Sequence, residues 1–457
     1  MKTKLLAWLA LAAFAAFAQT PRNVILFIGD GMSTPQRMTG EEFSRAAGRG
    51  PLAMNSLPMQ ATTRTVSASS LVTDSAAAAT AIACGCKTCN GAVGVDKDGR
   101  RVRSCAEAAR DAGKKVGIVT SVTINHATPA GFYAHRSNRS KLYEIGLDLV
   151  ASGFDLFAGG GLEGAFDRPN AEGYAGNLYD YARAQGWQVA EGRAGFDALT
   201  PGQGRIWYRD GEQALPYAID AAGKPNPRLP ELTAFALRHL DCEQGFFLMV
   251  EGGRIDFAGH ANEAAANLRD LLELDDAVKV ALDWQKTHPD TLVVITGDHE
   301  TGGMTMGFAG TGYAFYMDRL ASQTCSTDTF KERYHAAKKA NPAYAFEDAA
   351  ALLAECYGFK FGRLAPGADE AALKNDPMQL NQQEINDLKH KFKHGGLTDA
   401  ARRLMSAKAG VGWTSGSHTG LPALTTACGP GSERFCGLLD NTDISKILTG
   451  FCAPDAR

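Results

Sequence analysis

Asn23-Val24-Ile25-Leu26-Phe27-Ile28-Gly29-Asp30-Gly31 reads as a short strand covered on both faces that runs directly into a tight acidic turn. Three further runs have the same character. Lys115 to Thr120 precedes a loop holding Asn125, His126 and Thr128, Phe246 to Val250 precedes Glu251, and Thr291 to Thr296 precedes Gly297-Asp298-His299-Glu300. Such runs alternate with helix-like segments from residue 22 to about 300, a pattern that predicts an α/β fold: a mostly parallel central sheet with helices on both faces. In such sheets ligands bind beyond the carboxyl ends of the strands. One Asp after a strand is commonplace; four strands ending in carboxylates, imidazoles and hydroxyls predict a shared site.

The chain around these strands has 457 residues, 45% of them hydrophobic and 21% charged, enough to bury a large core in one large or two smaller domains. Lys and Arg number 47 against 50 Asp and Glu, so nothing biases the whole surface toward nucleic acid or an anionic membrane, and an anionic substrate must be attracted locally. Lys2 and Lys4 precede the apolar run Leu5 to Phe14, and Ala16-Phe17-Ala18 fits a cleavage site. Residues 1–18 are therefore expected to be a signal peptide that exports the chain to the periplasm or the medium, without a stable membrane anchor.

The ten cysteines of an exported chain suggest local disulfides, with Cys428 and Cys436, on either side of a Gly-Pro-Gly turn, as the best pair. Cys84, Cys86 and Cys89 are expected to be disulfides or buried thiols, since no fourth ligand at a zinc-site spacing accompanies them. Between His299 and His418 the texture changes. Asp328 to Lys339, Glu347 to Phe359 and Gln382 to Lys393 read as amphipathic or polar helices, and about 308–412 as an inserted helical subdomain.

Several motifs carry chemistry. Thr73-Asp74-Ser75 stands directly before the helix formers Ala76 to Ile82, which places Ser75 at a helix N-terminus, where an anion such as phosphate is favoured. Alone, the motif reads better as a plain helix cap. Asp256 and His260 are four residues apart and share a helix face. With Asp298, His299 and His418 they supply oxygen and nitrogen donors of the kind catalytic zinc accepts.

The segments VILFIGDGM, TDSAAAATA, HATPAGFYAHRSNR, VEGGRIDFAGH, VVITGDHETGG and SGSHTG, in this order, resemble the signature segments of the alkaline phosphatase family. They cover about residues 22–306 and 411–450 and leave the insertion largely unmatched. The resemblance implies a phosphate monoesterase that works through a phosphoserine on Ser75 with two zinc ions and one magnesium. It implies that Asp256, His260 and His418 hold one zinc, and that Asp30, Asp298, His299 and Ser75 hold the other. Asp30, Thr128 and Glu251 match the magnesium ligands, whose hard oxygen donors suit that ion. Arg139 would grip two phosphate oxygens with its planar fork. The family also implies a homodimer.

Two positions depart from part of the family. His126 stands where some members have Asp, beside the expected phosphate and third metal, and Phe257 where some have Lys or His. The imidazole leaves zinc as an option for the third metal. His135 reads as a supporting or structural residue, and Arg136 and Arg254 as surface or salt-bridge residues, either of which would also attract an anionic substrate. Diesterases, sulfatases and phosphoglycerate mutases on a similar scaffold are the nearest rivals, but no Cys-x-Pro-x-Arg segment of the sulfatase type is present. A phosphate- or metal-binding protein that has lost its chemistry is the other.

Overall fold

Asn23–Gly29 forms strand β1, and all seven of its residues are buried, as an apolar run between two helical layers requires. The structure is a computed structural model describing residues 20–211, 213–362 and 376–453; the expected signal peptide lies outside the described residues. In chain order the strands after β1 are β2 (Met59–Arg64), β3 (Lys115–Thr123), β4 (Leu156–Gly160), β5 (Trp187–Glu191), β6 (Arg205–Arg209), β7 (Phe246–Gly252) and β8 (Thr291–Gly297). The two-residue strands β9 (Glu300–Thr301), β10 (Thr305–Met306), β11 (Val411–Gly412) and β12 (His418–Thr419) follow, then β13 (Ala423–Cys428) and β14 (Gly437–Asp440).

Ten of these strands form one sheet in the order β14-β2-β13-β8-β1-β7-β3-β4-β6-β5. β13 runs antiparallel to both its neighbours, and the other pairings are parallel. The four runs expected to be buried strands are the contiguous centre, β8-β1-β7-β3. Their register aligns their ends: Ile28 lies opposite Glu251, and Gly29 opposite both Gly252 and Gly297. Asp30, Glu251 and Asp298 thus emerge at one level of the sheet's carboxyl edge.

Alternate residues of the central strands feed two separate cores. Ile25, Phe27, Leu248, Val250, Val293 and Ile295 join one, against the helices Leu229–Leu240 and Ala264–Thr287. Val24, Leu26, Ile28, Met249 and Val294 join the other, against helices that include Ser75–Cys84 and Asn441–Cys452. Period-two alternation with apolar residues on both sides is what a sheet between two helical layers demands.

The three helices read from the sequence in the 308–412 stretch are found at Thr327–Ala340, Phe346–Tyr357 and Gln382–His394, with a fourth at Leu397–Ala409. Their buried side chains, among them Phe330, Leu353, Leu388 and Met405, continue the first core. Glu263, just beyond the Asp256–His260 turn, anchors this layer, since its Oε1 accepts from Gln323 Nε2 and Thr327 N, each at 2.7 Å.

The expected Cys428–Cys436 disulfide is not formed, and all ten cysteines are free thiols. Buried Cys428 ends β13 and donates to Gln285 Oε1 at 3.3 Å, whereas exposed Cys436 donates to the Glu433 carbonyl at 3.3 Å. The turn between them points the two thiols at different partners. Cys84 and Cys86 are half-buried and Cys89 is exposed, so the trio is neither bridged nor fully buried. No helix among the described residues is long and apolar enough to cross a membrane.

Candidate active site

Ser75 opens the helix Ser75–Cys84, and Asp74, not Ser75, caps it, its carboxylate accepting from Ala77 N. The Ser75 hydroxyl is left free to face the cleft, where its Oγ lies 3.1 Å from His299 Nε2. His299 Nε2 is also 3.3 Å from Asp30 Oδ1 and 3.2 Å from Asp298 Oδ2. Thr301 donates its hydroxyl hydrogen to Asp256 Oδ1 and is 3.2 Å from His299 Nδ1. Its oxygen therefore accepts the Nδ1 hydrogen, and the Nε2 lone pair points at Ser75 and the two aspartates.

Asp256 and His260 lie on the helix Arg254–His260, and their facing positions bring His260 Nε2 to 3.5 Å from Asp256 Oδ2. His418, on β12 next to β9, brings its Nε2 to 3.1 Å from that of His260 and 3.6 Å from Asp256 Oδ1. Each ring is fixed from behind: His260 Nδ1 donates to the Gly416 carbonyl at 2.8 Å and His418 Nδ1 to the Thr73 carbonyl at 2.9 Å. In the neutral rings both Nε2 atoms then carry lone pairs directed at one another, an arrangement that a shared cation satisfies.

A third group lies deeper. Thr128 Oγ1 donates to Asp30 Oδ2 at 3.3 Å, Thr120 donates to Glu251 Oε2, and His126 Nδ1 is 3.9 Å from Asp30 Oδ2. Candidate ligand atoms converge within 4.8 Å in three sets: Asp256, His299 and His418; Asp30, Asp298 and His299; and Asp30, His126 and Glu251. The site residues read from the sequence are thus together, with His260 adjoining the first set through His418. Gly31 makes the approach possible: it has φ +70°, and a Cβ there would meet Asp256 Cα at 2.9 Å.

Electrostatics favour cations here. Burial, reinforced by repulsion from Asp298, Asp256 and Glu251, pushes the Asp30 acid well above the usual range. Burial and then Asp256 do the same to Asp298, and burial raises Glu251 to about 7. Burial, with His418 and His260 adding repulsion, holds His299 well below the usual imidazole range. Asp30 Oδ1, Glu251 Oε1 and Asp298 Oδ2 are buried and take no hydrogen bond. Buried acceptors without donors are costly, and divalent metals coordinated by carboxylate and imidazole satisfy them, so the donor set fits the metals expected of it.

Arg139 faces this cleft, with Nη1 3.3 Å from Asp74 Oδ2 and Nη2 3.2 Å from His126 Nε2. His126 is neutral, held down to about 3 by burial and then by Arg139. While Arg139 donates to Nε2, the ring hydrogen sits on Nδ1, so coordination through Nδ1 would require the other tautomer and release this bond. His135 is structural, with Nδ1 2.7 Å from the Gly94 carbonyl and Nε2 3.2 Å from Glu107 Oε1, and Arg136 pairs with Asp148. Arg254 instead lines the cleft and is not in a salt bridge among the described residues.

The places of Asp74 and Thr301 are not legible in the sequence. Asp74 both caps the Ser75 helix and tethers Arg139, while Thr301 orients His299 and Asp256 together. A capping residue next to the candidate nucleophile was the available signal for the first.

A mostly parallel α/β sheet with carboxylates and imidazoles gathered at its carboxyl edge, and a serine and an arginine set over them, defines a metal-binding hydrolase. Comparison with known proteins makes this specific. The alkaline phosphatase family model matches residues 21–453. Alkaline phosphatase 3 of Bacillus subtilis is 33% identical over 444 residues, covering 93% of this chain and 87% of the relative. The alkaline phosphatase of Schizosaccharomyces pombe is 30% identical over 456 residues, covering 94% and 81%. The solved cold-active alkaline phosphatase of a psychrophilic Shewanella sp. superposes with a TM-score of 0.80 at 28% identity, covering 94% of this chain and 99% of that one. That of Thermus thermophilus gives 0.79 at 26% identity, covering 96% and 92%. The chain belongs to the alkaline phosphatase family.

Proposed function

We propose that this chain hydrolyses phosphate monoesters to an alcohol and inorganic phosphate through a phosphoserine on Ser75. The observation that carries the reading is the position of Ser75 Oγ, 3.1 Å from His299 Nε2 at the meeting of two ligand groups, with Arg139 on the same cleft wall. Asp256, His260 and His418 would hold one zinc, Asp30, Asp298 and His299 with Ser75 the second, and Asp30, Thr128 and Glu251 a magnesium, with zinc as the alternative beside His126. Such ions supply Lewis acidity, easing deprotonation of hydroxyl and water and offsetting phosphate charge.

Within that setting the protein's own groups have defined tasks. Arg139 binds two oxygens of the ester phosphate with its fork and holds the phosphorus in front of Ser75. The N-terminus of the Ser75 helix adds the favourable end of its dipole. Ser75 Oγ attacks phosphorus opposite the ester oxygen, the P–O bond to the alcohol breaks, and the alcohol leaves with a proton. Water attacking from the vacated side then breaks the bond to Ser75 Oγ, restoring the serine and releasing phosphate. Thr301 keeps His299 in one tautomer throughout, and the Thr73 and Gly416 carbonyls do the same for His418 and His260.

Export by residues 1–18, a homodimer and an insertion at about 308–412 that shapes the site rim or a subunit contact complete the proposal. Acid quenching during turnover, followed by peptide mass analysis, tests the covalent step. A phosphoryl group on the Ser75 peptide supports it, and its absence under metal-saturated turnover overturns it.

A further inference from the structure

The cleft that holds Ser75 continues outward as a cavity of about 500 Å³ whose lining includes Leu142, Gln213, Ala214, Arg254 and Phe257. None of these is needed to hold the ester phosphate. Arg254 Nε donates to the Leu215 carbonyl at 2.6 Å, and its guanidinium carbon lies 4.4 Å from the Tyr217 ring centroid and 5.4 Å from that of Phe257. Phe257 in turn meets the His126 ring edge-on, with centroids 5.6 Å apart. Tyr217, Arg254, Phe257 and His126 therefore form one continuous row.

A guanidinium fixed at Nε and packed near two aromatic rings has little freedom left, so little is lost when it binds an anion. Among the described residues, Nη1 and Nη2 of Arg254 have no protein acceptor and no carboxylate pairs with it. Other arginines near the site are spent differently: Arg136 is paired with Asp148, and Arg139 is tethered to Asp74. Arg254 is thus a half-buried, pre-positioned cation within the cavity that holds Ser75, with an apolar ring beside it. Glu163 is another carboxylate in the lining and opposes an anion there.

We propose that Arg254 and Phe257 form a second anion subsite, which binds a carboxylate or phosphate on the alcohol portion of the substrate while Arg139 binds the ester phosphate. This rests on the monoesterase reading above and gives it a preference for monoesters whose alcohol is itself anionic. The subsite acts on binding of the leaving portion, so its effect falls mainly on KM.

The test compares 3-carboxyphenyl phosphate with phenyl phosphate, and fructose 1,6-bisphosphate with fructose 6-phosphate, so that the carboxylate and phosphate arms are read separately. A charge-assisted contact predicts that the kcat/KM ratio within each pair falls about tenfold in Arg254→Ala, chiefly through KM. Arg254→Lys should keep part of the ratio, Glu163→Gln should raise it, and added salt should lower it in the wild type. Calorimetric binding of 3-carboxyphenylphosphonate against phenylphosphonate to metal-loaded protein reads the same ratio without turnover. If no monoester is turned over, the monoesterase reading fails and the phosphonate ratio still decides the subsite. Binding and kinetic ratios that stay the same in Arg254→Ala and Arg254→Lys, both folded by their melting curves, overturn it.

Discussion

Glu263→Gln should stabilise the protein at alkaline pH and leave it nearly unchanged in acid. Glu263 is 2% exposed at the start of the helix Ala264–Thr287. Burial pushes its acid from the ordinary 4.5 up to about 7, although Thr327 and Gln323 hydrogen bonds pull the other way. Because the folded acid titrates above the unfolded one, its contribution to stability is complete below pH 4.5 and is lost as the pH rises through about 7. The interval from 4.5 to about 7, at about 1.4 kcal/mol per unit, makes the loss about 3 kcal/mol. Glutamine keeps an oxygen for the two donors and carries no charge to bury. Denaturant unfolding at fixed, saturating metal should show stabilities within about 1 kcal/mol of each other at pH 5 and a gain of up to about 3 kcal/mol for the variant at pH 8. A variant whose stability differs from wild type by the same amount at every pH would mean that Glu263 ionises as readily in the folded chain as in the unfolded one, contrary to the effect of its burial.

Asp74→Asn keeps the helix cap through Oδ1 but replaces by an amide the Oδ2 that accepts from Gly91 N and Arg139, so Tm should fall slightly while KM for a simple monoester rises several-fold, about 1 kcal/mol. An equal loss of stability and activity would assign Asp74 to folding alone. Chelated protein should lose stability as the pH rises from 4.5 through about 7, as Glu251 is forced to ionise among Asp30, Asp256 and Asp298. Added zinc and magnesium should flatten or reverse that slope in a melting series, and identical slopes with and without metal would contradict it. Gly31→Ala, strained at positive φ and crowded against Asp256, should cost about 1–3 kcal/mol and weaken zinc binding measured by competition with a chromophoric chelator.

The centre of the fold was legible because buried parallel strands announce themselves locally: β1, β3, β7 and β8 each carry a run rich in Val, Ile, Leu or Phe, and β1, β7 and β8 hold or lead directly into Asp30, Glu251 and Asp298. Asp256 and His260 were legible for the same reason, a four-residue spacing on one helix turn. What could not be read depends on distant parts of the chain meeting. The Thr73 carbonyl that fixes His418 is 345 residues away in sequence, and the Gly416 carbonyl that fixes His260 is 156 away. β13 was missed as a sheet strand because Ala423–Cys428 is rich in small and hydroxylated residues, its Thr425 bonding to Thr63 and Thr296 in the neighbouring strands. The Cys428–Cys436 pairing failed because loop length says how near two residues pass and not where their thiols point.

The most direct test of the account is the initial rate of p-nitrophenyl phosphate hydrolysis across pH by zinc- and magnesium-loaded protein, a chelated aliquot and Ser75→Ala. Alkaline activity in the loaded protein should fall by several orders of magnitude, on the order of a thousandfold or more, in both controls. Activity that survives chelation, or that Ser75→Ala retains in full, would contradict it.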